Sequence, residues 1–492
     1  MNKVISKKVA ALLTAAALVV GFVPSNVQAA SYGREGEFEV DYTINNPYEE
    51  VNWNTYGQYK GDFHVHSKNS DGGNWTYEMV EDHYAKGYDI LAMTDHNYVT
   101  RGWENAGKGS MTAQRKAEIE AGVGRDGRGM LDFSYGNEQS MKDHINTFGI
   151  DWNNPAEGSS MDLVLNTNEQ LGGVAHINHM GRYTGSSKID YADYRFSNDP
   201  AVVSKYVNLL RANPSTVGVE IINKLDNESR LDRPLYDNIL MELMPEGRNV
   251  WGFSNDDTHA VKSTGYAFNM LLMPELNAAN TKKAMKDGAF YAVSRISRED
   301  GINATFADGT PLPGSGNDKT LYLLDQTTPS ISNIVVDQEE NSISITGANY
   351  NTIEWIADGK VIATGNEIDL NDYEDVINSY VRAQLKSETG IAFTQPFGIK
   401  EETEELEITS VETKNKQVRL NFDIESANGK GYYVYASKDG KDFQLCEDVN
   451  FNSKGVHIRG LQNGCEYTFY VVRVIDGVVV ERSKAIVARP GK

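Results

Sequence analysis

The sequence predicts an α/β fold, a barrel of parallel β/α units followed by two small all-β sandwich domains. Three observations support this prediction. Between residues 59 and 300, short apolar runs alternate with helix-like stretches, which is typical of parallel strands joined by helices. Polar or ionisable residues follow most of those runs. Beyond residue 320, strand-like segments follow one another without helical periodicity, as they do in β-sandwiches.

The first 30 residues have the pattern of a secretory signal peptide. Lys3, Lys7 and Lys8 precede the apolar stretch Val9–Val23, and Val27–Ala29 suits a signal peptidase. The apolar stretch is short for a membrane span, and a retained anchor is the alternative. We therefore predict a secreted or cell-surface associated protein whose mature chain has no membrane span.

Composition and charge narrow the classes of function. The formal net charge is -22 over 492 residues, which argues against nucleic acid as a partner because its phosphates would be repelled. A small anionic substrate remains compatible, since bound metal ions can make one pocket positive on an acidic protein. Cys446 and Cys465 lie far along the chain from the candidate site, and their spacing leaves open whether they form a disulfide.

The predicted barrel occupies residues 31–300, with an irregular lead-in that includes an edge strand at Glu37–Tyr42. A helix is predicted at Trp75–Lys86, because Val80 and Tyr84 are four residues apart and Gly87 follows as a stop signal. The strands are predicted from apolar runs at Asp62–Val65, Ile90–Met93, Met130–Tyr135, Gly172–Ile177, Val217–Ile222 and Val250–Phe253.

Candidate metal ligands lie at the ends of these runs. His64 and His66 are separated by one residue, so in a strand both rings can point to the same side. Further imidazoles and carboxylates accompany the runs, namely Asp71, His96, Glu138, His144, His176, His179, Asp257 and His259. The carboxyl ends of parallel barrel strands meet at one face, so we expect these side chains to converge on one pocket. Their number exceeds what one ion can bind and predicts a multinuclear site.

The rest of the chain is predicted to be all-β. The stretch Gly309–Lys319 is rich in turn residues and marks a boundary, and residues 301–400 are predicted to form a small β-sandwich. An acidic linker at residues 401–405 precedes a last sandwich at residues 406–492. In that module, Gly460–Phe469 resembles the corner of fibronectin type III domains that carries a characteristic tyrosine.

Taken in order, the motifs resemble those of the polymerase and histidinol phosphatase (PHP) superfamily. They are His-x-His with Ser-Asp-Gly, Thr-Asp-His, Gly-x-Glu, Asn-His-x-Gly-Arg and Asp-x-His, and the match covers roughly residues 58–400. The pair Glu138 and His144, with Asn146 and Gly149 after it, is similar to the CehA/McbA-type branch, as is Tyr380–Ala383. The resemblance implies a distorted (β/α)7 PHP barrel with up to three metal ions at its C-terminal face.

The same resemblance implies how the ligands divide. His64, His66, Glu138 and Asp257 would hold the first ion; Glu138 would bridge to a second bound by His144 and His179; Asp71, His96 and His259 would hold the third. We therefore expect two or three divalent metal ions as cofactors. Imidazole and carboxylate ligands suit zinc, manganese or iron, and the ligand types do not distinguish among these metals.

Three further residues are candidate catalytic residues. His176 is expected beside the ligands or facing the substrate, since only His179 matches the Asn-His-x-Gly-Arg pattern. Arg182 can pair with a phosphate or carboxylate oxygen, with a surface salt bridge as the equal alternative. Asp95 is expected to orient a ligand imidazole.

Together these features predict a secreted, multinuclear metal-dependent hydrolase. The leading hypothesis is a phosphoesterase that acts on small phosphate mono- or diesters through a metal-bridging hydroxide. The alternative enzyme class is carbamate, amide or carboxylic ester hydrolysis, which the CehA/McbA-type branch includes. A different class is a cell-wall or glycan-binding protein with an inactive barrel, against which the complete ligand set counts. The expected partner is a small anionic ester, with cell-wall or glycan contact through the C-terminal β domains as a further hypothesis.

Overall fold

The computed structural model describes residues 41–183, 196–227, 229–306, 309–311, 320–374, 376–425, 429–438, 440, 443–475 and 477–491. The predicted signal peptide and most of the predicted edge strand Glu37–Tyr42 lie outside these ranges. Within them, no helix is both long and apolar enough to span a bilayer.

The first part of the chain alternates strands with helices, which confirms the predicted α/β class. The strands are β1 (Tyr42–Asn45), β2 (Gly57–Asp62), β3 (Ile90–Leu91), β4 (Leu131–Asp132), β5 (Asn137–Gln139), β6 (Ile145–Phe148), β7 (Val174–Ile177), β8 (Thr216–Asn223), β9 (Trp251–Asn255), β10 (Ala267–Met273) and β11 (Phe290–Ser294). The helices are α1 (Thr76–Ala85), α2 (Ala113–Glu120), α3 (Met161–Gln170), α4 (Pro200–Ala212), α5 (Asp232–Leu243) and α6 (Ala278–Asp287).

Local sequence signals account for the helix ends. The side chains of Ser160, Asp199 and Asn277 accept hydrogen bonds from backbone N–H groups in the first turns of α3, α4 and α6, as N-cap residues do. The chain leaves α1 through Gly87, whose φ of 79° lies in the left-handed region that glycine favours. The helix predicted at Trp75–Lys86 is α1, shortened by one residue at each end.

Two sheets carry the strands that surround the candidate site. Parallel pairing joins β2 to β3 and β3 to β4 in one sheet, and β7 to β8 and β8 to β9 in the other. Antiparallel strands β5 and β6 extend the second sheet beyond β7. Isolated bridges between Val65 and Thr258 and between His96 and Glu138 connect the two sheets. In the described residues, strand pairing is therefore divided between two sheets and does not run around one closed barrel.

Four of the six predicted runs contribute fewer strand residues than expected, whereas β8 and β9 are longer than the predicted runs Val217–Ile222 and Val250–Phe253. The apolar run Met130–Tyr135 forms only β4, Leu131–Asp132. The run Asp62–Val65 contributes only its first residue to β2, which ends at Asp62. Side-chain hydrogen bonds replace ladder bonds here, since the backbone N of Val65 donates to Oγ1 of Thr94 at 2.9 Å.

The segment after β11 consists of strands, several of which continue the sheet of the α/β part. They are β12 (Ser330–Asp337), β13 (Ser342–Ala348), β14 (Thr352–Ala357), β15 (Lys360–Thr364), β16 (Glu367–Asp369), β17 (Tyr380–Ser387), β18 (Gly390–Phe393) and β19 (Phe397–Glu401). Antiparallel pairing joins β11 to β18, β18 to β17 and β17 to β19, and β1 closes the edge against β19. Strands β12, β13 and β16 form a separate sheet.

The boundary expected near residue 300 is therefore not a break in the sheet or in the core. One hydrophobic core includes Phe290 of β11 and Trp355 of β14, both fully buried. The lead-in strand β1 pairs with residues at the far end of the predicted second domain. Sheet pairing between residues distant in sequence leaves no signal in the local composition. The sequence therefore places the lead-in strand with the barrel and does not indicate its pairing with β19.

The last module is a two-sheet β-sandwich. Its strands are β20 (Glu404–Glu405), β21 (Ser410–Lys414), β22 (Gln417–Asn421), β23 (Tyr432–Ser437), β24 (Gln444–Leu445), β25 (Val449–Asn452), β26 (Gly455–Ile458), β27 (Tyr467–Ile475), β28 (Val478–Arg482) and β29 (Ile486–Ala488). The backbone N of Gln462 donates to the hydroxyl of Tyr467 at 3.0 Å, an arrangement that ties a tyrosine to the corner just before its strand. Cys446 and Cys465 are not bonded to each other.

The predicted acidic linker is divided between the two neighbouring parts of the chain, because Glu401 is the last residue of β19 and pairs with Tyr42 of β1. Glu404–Glu405 forms strand β20, which pairs in parallel with β28. Beside it, Nη1 of Arg482 lies 3.0 Å from Oε2 of Glu401. The linker is thus anchored to the last sandwich by backbone and ionic contacts.

Candidate metal centre

His64 and His66 enter the site on an extended segment just after β2. The backbone N of His66 donates to the carbonyl O of Thr258 at 2.9 Å, and the N of Thr94 donates to the O of Val65 at 2.8 Å. These bonds hold the segment between its two neighbours, so the alternating side chains His64 and His66 face the same side. Their ring centroids are 5.1 Å apart, and both side chains are fully buried.

Glu138 of β5 lies at the centre of the site. Five histidine nitrogens surround its carboxylate: Nδ1 of His96 at 2.7 Å, Nδ1 of His144 at 2.9 Å, Nε2 of His64 at 3.2 Å, Nε2 of His66 at 3.3 Å and Nε2 of His179 at 3.5 Å. Burial raises the pKa of Glu138, but the charge of His64 and the hydrogen bonds from His144 and His179 hold it well below its usual value. The carboxylate is therefore ionised and shared by imidazoles from several separate chain segments.

Asp257 faces the same pair of histidines from the end of β9. Its Oδ1 lies 3.4 Å from Nε2 of His64 and 3.2 Å from Nε2 of His66. Its Oδ2 lies 2.9 Å from Nζ of Lys224, a residue that no sequence motif indicated. Asp257 thus joins the histidine cluster to a cation at its edge.

Asp71, His96 and His259 meet on the more open side of the site. Nε2 of His259 lies 3.2 Å from Oδ2 of Asp71, and Nε2 of His96 lies 3.6 Å from the same oxygen. Hydrogen bonds from these two rings hold the pKa of Asp71 below its usual value. The Asp71 side chain is 55% exposed, so this end of the cluster opens to solvent.

Two adjacent histidines have opposite pKa shifts. Burial acts to lower the pKa of His64, but the negative charges of Asp257, Glu220 and Glu138 outweigh it and raise the pKa well above its usual value. Burial lowers the pKa of His66 to about 4. A proton on His64 thus offsets part of the buried negative charge, and cations bound to the cluster would displace it.

Several of the facing atoms have no hydrogen-bond partner although they lie close together. Among the buried atoms of the described residues, this is true of Nε2 of His64 and His66, Nδ1 of His96, Oε2 of Glu138 and Oδ1 of Asp257. The separations from Nε2 of His66 to the two carboxylate oxygens are 3.3 Å and 3.2 Å. Ligand atoms about 2.0–2.2 Å from a tetrahedral ion are about 3.3–3.6 Å from one another. The residues therefore fit divalent metal ions.

The nine predicted ligands all belong to groups whose ligand atoms lie within 4.8 Å of one another. The groups are His66, Asp71, His96 and His259; His64, His179 and Asp257; His64, His66 and Glu138; and His96, Glu138 and His144. The set implied for a third ion falls within the first group. The set implied for the second ion is divided, because His96 joins Glu138 and His144 while His179 joins His64 and Asp257.

Glu220 is a functional candidate that the sequence analysis missed. Its Oε1 lies 2.7 Å from Nδ1 of His64, and both side chains are fully buried. Asn223 and Asn255 donate to this carboxylate at 2.9 Å each, and the backbone N of His179 donates at 3.0 Å. The available signal was a lone carboxylate inside the apolar run Val217–Ile222.

Asp95 does not orient an imidazole directly, contrary to the expectation. Its carboxylate accepts hydrogen bonds from the backbone N and Oγ of Ser67 at 2.7 Å and 2.8 Å, and from Oγ of Ser70 at 2.8 Å. Ser70 in turn lies 3.4 Å from Nδ1 of His66. Asp95 therefore organises the loop after His66 and reaches that imidazole only through Ser70.

His176 lies in the interior and not against the substrate space. Its ring stacks on Phe253 with centroids 4.7 Å apart and lies 5.5 Å from the ring of Phe148. Neither ring nitrogen makes a hydrogen bond of normal geometry, and burial lowers the pKa to about 4. Side chains alternate between the two faces of β7, and that of His176 lies on the face that packs into the core. His179 lies beyond the end of the strand and faces Glu138.

Arg182 lies on the short turn Met180–Tyr183 that follows His179. The side chain is exposed, and its guanidinium is 5.9 Å from the ring centroid of Tyr183. The Tyr183 ring is in turn 5.3 Å from His144 and 5.4 Å from His179. Arg182 is thus at the rim of the histidine cluster and outside its interior.

No protein-family model matches this sequence, and no curated protein matches it as a relative. Solved structures resemble the chain, among them the following three. One is a two-domain protein containing a predicted PHP-like metal-dependent phosphoesterase from Bacteroides vulgatus, with 16% identity, 80% of this chain and 94% of that chain covered, and a TM-score of 0.33. Another is a candidate metal-dependent phosphoesterase from Bifidobacterium adolescentis, with 14% identity, 40% and 87% coverage, and a TM-score of 0.26. The third is an amidohydrolase from Chromobacterium violaceum with bound sulfate, with 15% identity, 41% and 87% coverage, and a TM-score of 0.25.

Proposed function

We propose that this protein is a metal-dependent hydrolase that cleaves small phosphate mono- or diesters. The observation that carries the proposal is the buried carboxylate of Glu138 with five imidazole nitrogens within 3.5 Å. A carboxylate surrounded in this way suits a group shared between ions, and the unpartnered ligand atoms support the same interpretation. On the basis of the sequence motifs, we also propose that the chain belongs to the PHP superfamily and to its CehA/McbA-type branch.

The ligand groups described above would hold the divalent ions. Bound there, such ions supply an activated water and neutralise negative charge on the reacting ester. The protein's own residues do the positioning: Glu220 fixes the ring of His64, and Asp95 fixes the loop that follows His66. The deep burial of His64, His66 and Glu138 keeps bulk water from these groups, and this strengthens every charge interaction within the site.

Phosphate chemistry is favoured by the cations at the rim. Arg182 and Lys224 are both close to the ligand cluster. A phosphoryl transition state spreads negative charge over several oxygens, whereas a carbonyl develops charge on one. Several cationic groups around one pocket therefore stabilise the phosphoryl reaction more.

A comparison of matched substrates tests this proposal. Aryl phosphate mono- and diesters would be assayed beside aryl carbamates and carboxylic esters, with and without chelator. We expect a higher kcat/KM on the phosphates, inhibition by inorganic phosphate and loss of activity with chelator. Higher efficiency on the carbonyl substrates, without inhibition by phosphate, would favour the carbamate, amide and ester class. The absence of chelator-sensitive turnover on any substrate would favour a binding protein.

We also propose that the chain is exported and that its last module is a fibronectin type III-like accessory. The n-region and apolar stretch of residues 1–30 support export. The Tyr467 corner and the two-sheet sandwich support the second assignment. Secretion of a tagged full-length chain with cleavage near residue 30, and pull-down on cell-wall polysaccharide with and without the last module, test these proposals separately.

A further inference from the structure

Lys224 is a cation at the edge of the candidate metal centre. Its Nζ lies 2.9 Å from Oδ2 of Asp257, and its side chain is 30% exposed, whereas that of Asp257 is 2% exposed. The other oxygen of the same carboxylate, Oδ1, faces Nε2 of His66 at 3.2 Å. One carboxylate group therefore separates the ammonium from the ligand cluster, and part of the lysine side chain is open to solvent.

The backbone that presents Lys224 is strained. Lys224, Leu225 and Asp226 follow β8 with φ values of 44°, 59° and 51°, in a region that is unfavourable for residues other than glycine. The buried carboxylate of Asp226 accepts hydrogen bonds from Nη1 and Nη2 of Arg233 at 2.8 Å and 3.1 Å, and from the backbone N of Arg298 at 2.7 Å. These contacts hold three consecutive residues in an unfavourable backbone conformation. Such strain indicates that the position of Lys224 matters for function.

A second basic residue, Arg182, lies on the turn after β7, the strand that pairs with β8. Lysine carries a positive charge at neutral pH, and the 2.9 Å contact of Lys224 with Oδ2 of Asp257 is an ion pair beside the cluster. The two basic groups come from turns after different strands, β7 and β8.

We propose that Lys224 binds a non-bridging oxygen of the substrate's phosphoryl group, and that the site thereby prefers phosphate monoesters to diesters. This inference rests on the proposed phosphoesterase function. An ammonium on a flexible stem is a point charge that can turn from one oxygen to another, so Nζ can leave Asp257 for a substrate oxygen while the strained backbone stays fixed. A monoester offers one more unesterified oxygen and one more negative charge than a diester, so it gains more from this contact.

The test compares Lys224→Met with Lys116→Met. Lys116 is a suitable control because it is also partly buried, at 16% exposure, and ion-paired, with Nζ 2.7 Å from Glu104 and 2.9 Å from Asp132. Metal-loaded proteins would be titrated with inorganic phosphate by calorimetry and assayed on aryl phosphate mono- and diesters. For Lys224→Met we expect the phosphate Kd and the monoester KM to rise about 10- to 100-fold, as for one lost charge-assisted hydrogen bond. The diester KM should rise less, metal content should not change, Lys224→Arg should recover part of the loss, and Lys116→Met should behave as wild type.

The outcomes separate this inference from the proposed function. If the wild type hydrolyses phosphates but Lys224→Met binds phosphate within twofold of wild type, the inference is wrong and the function stands. Equal losses on mono- and diesters together with loss of metal would make Lys224 a structural partner of Asp257 and overturn the inference as well. If the wild type binds phosphate through Lys224 but cleaves no phosphate ester, the anion-binding role stands and the proposed function is wrong.

Discussion

Oε1 of Glu220 lies 2.7 Å from Nδ1 of His64, and neither side chain is exposed. When His64 is neutral and its Nδ1–H donates to this carboxylate, the lone pair of the ring is on Nε2, which faces Glu138 and Asp257. Asn223 and Asn255 hold the carboxylate in turn. The pair therefore sets both the tautomer and the direction of a proposed metal ligand, as the partners of metal-binding histidines commonly do.

Glu220→Gln should weaken metal binding without unfolding the protein. The amide keeps the size of the side chain but can turn its NH2 group towards Nδ1 and disfavour the required tautomer. We expect metal affinity to fall about 10- to 100-fold, measured by competition with a chromophoric chelator. Glu246→Gln is the control, since Glu246 is an exposed glutamate paired with Arg211. Unchanged metal affinity in Glu220→Gln would contradict the role given to this pair.

Chelation should remove two or three ions per chain and abolish hydrolysis. The physical reason is that the groups of ligand atoms overlap, since His64, His66, His96 and Glu138 each belong to two of them, so loss of one ion weakens the others. His179→Ala should lose one ion and its turnover, whereas His457→Ala in the last module should match wild type. Elemental analysis with less than one ion per chain, together with activity that resists chelator, would rule out the metal centre.

His176 should make the protein less stable at acidic pH. Its pKa is near 4 in the fold and near 6.5 when unfolded, so the unfolded chain takes up a proton that the folded chain does not. The free energy of unfolding is therefore not reduced by His176 well above pH 6.5, and it falls as the pH drops below that value. Between pH 7 and pH 5 we expect the metal-free wild type to lose about 2 kcal/mol more of its free energy of unfolding than His176→Leu does.

Urea denaturation at the two pH values measures this difference. Phe148→Leu is the control, because it disturbs the packing beside His176 without removing a titratable group. It should be less stable than wild type by a similar amount at both pH values. A His176→Leu variant with the wild-type pH dependence would show that His176 does not carry the effect.

A chain truncated after Glu402 should keep its metals and activity. The ladder between β1 and β19 ends there, and the backbone N of Glu402 donates to the O of Asp41 at 2.9 Å. A chain truncated after Gln326 should fail to fold, because it loses β18, which pairs with β11. Circular dichroism and metal analysis of both chains provide the measurement. A stable, metal-loaded protein ending at Gln326 would show that the two segments fold independently.

The residues that form the candidate metal centre, and their order along the chain, could be predicted from sequence. His64 and His66 alternate around Val65, His179 and Asp257 each follow a strand, and Glu138 lies in β5, a few residues after β4. Strand ends of parallel β/α units meet at one edge, so local pattern and one topological rule were enough to bring the ligands together. The same reasoning predicted the α/β class and the β-sandwich of the last module.

Only the tertiary structure decided which side chains support those ligands. Glu220 reaches His64 across 156 positions of sequence, and His176 turns into the core although it lies three residues before a ligand. The continuation of the sheet from β11 into β18, and the pairing of β1 with β19, are also long-range. Periodicity and turn signals report on neighbours within a few residues, whereas these contacts depend on how distant strands pair and on the direction in which each buried side chain leaves its strand.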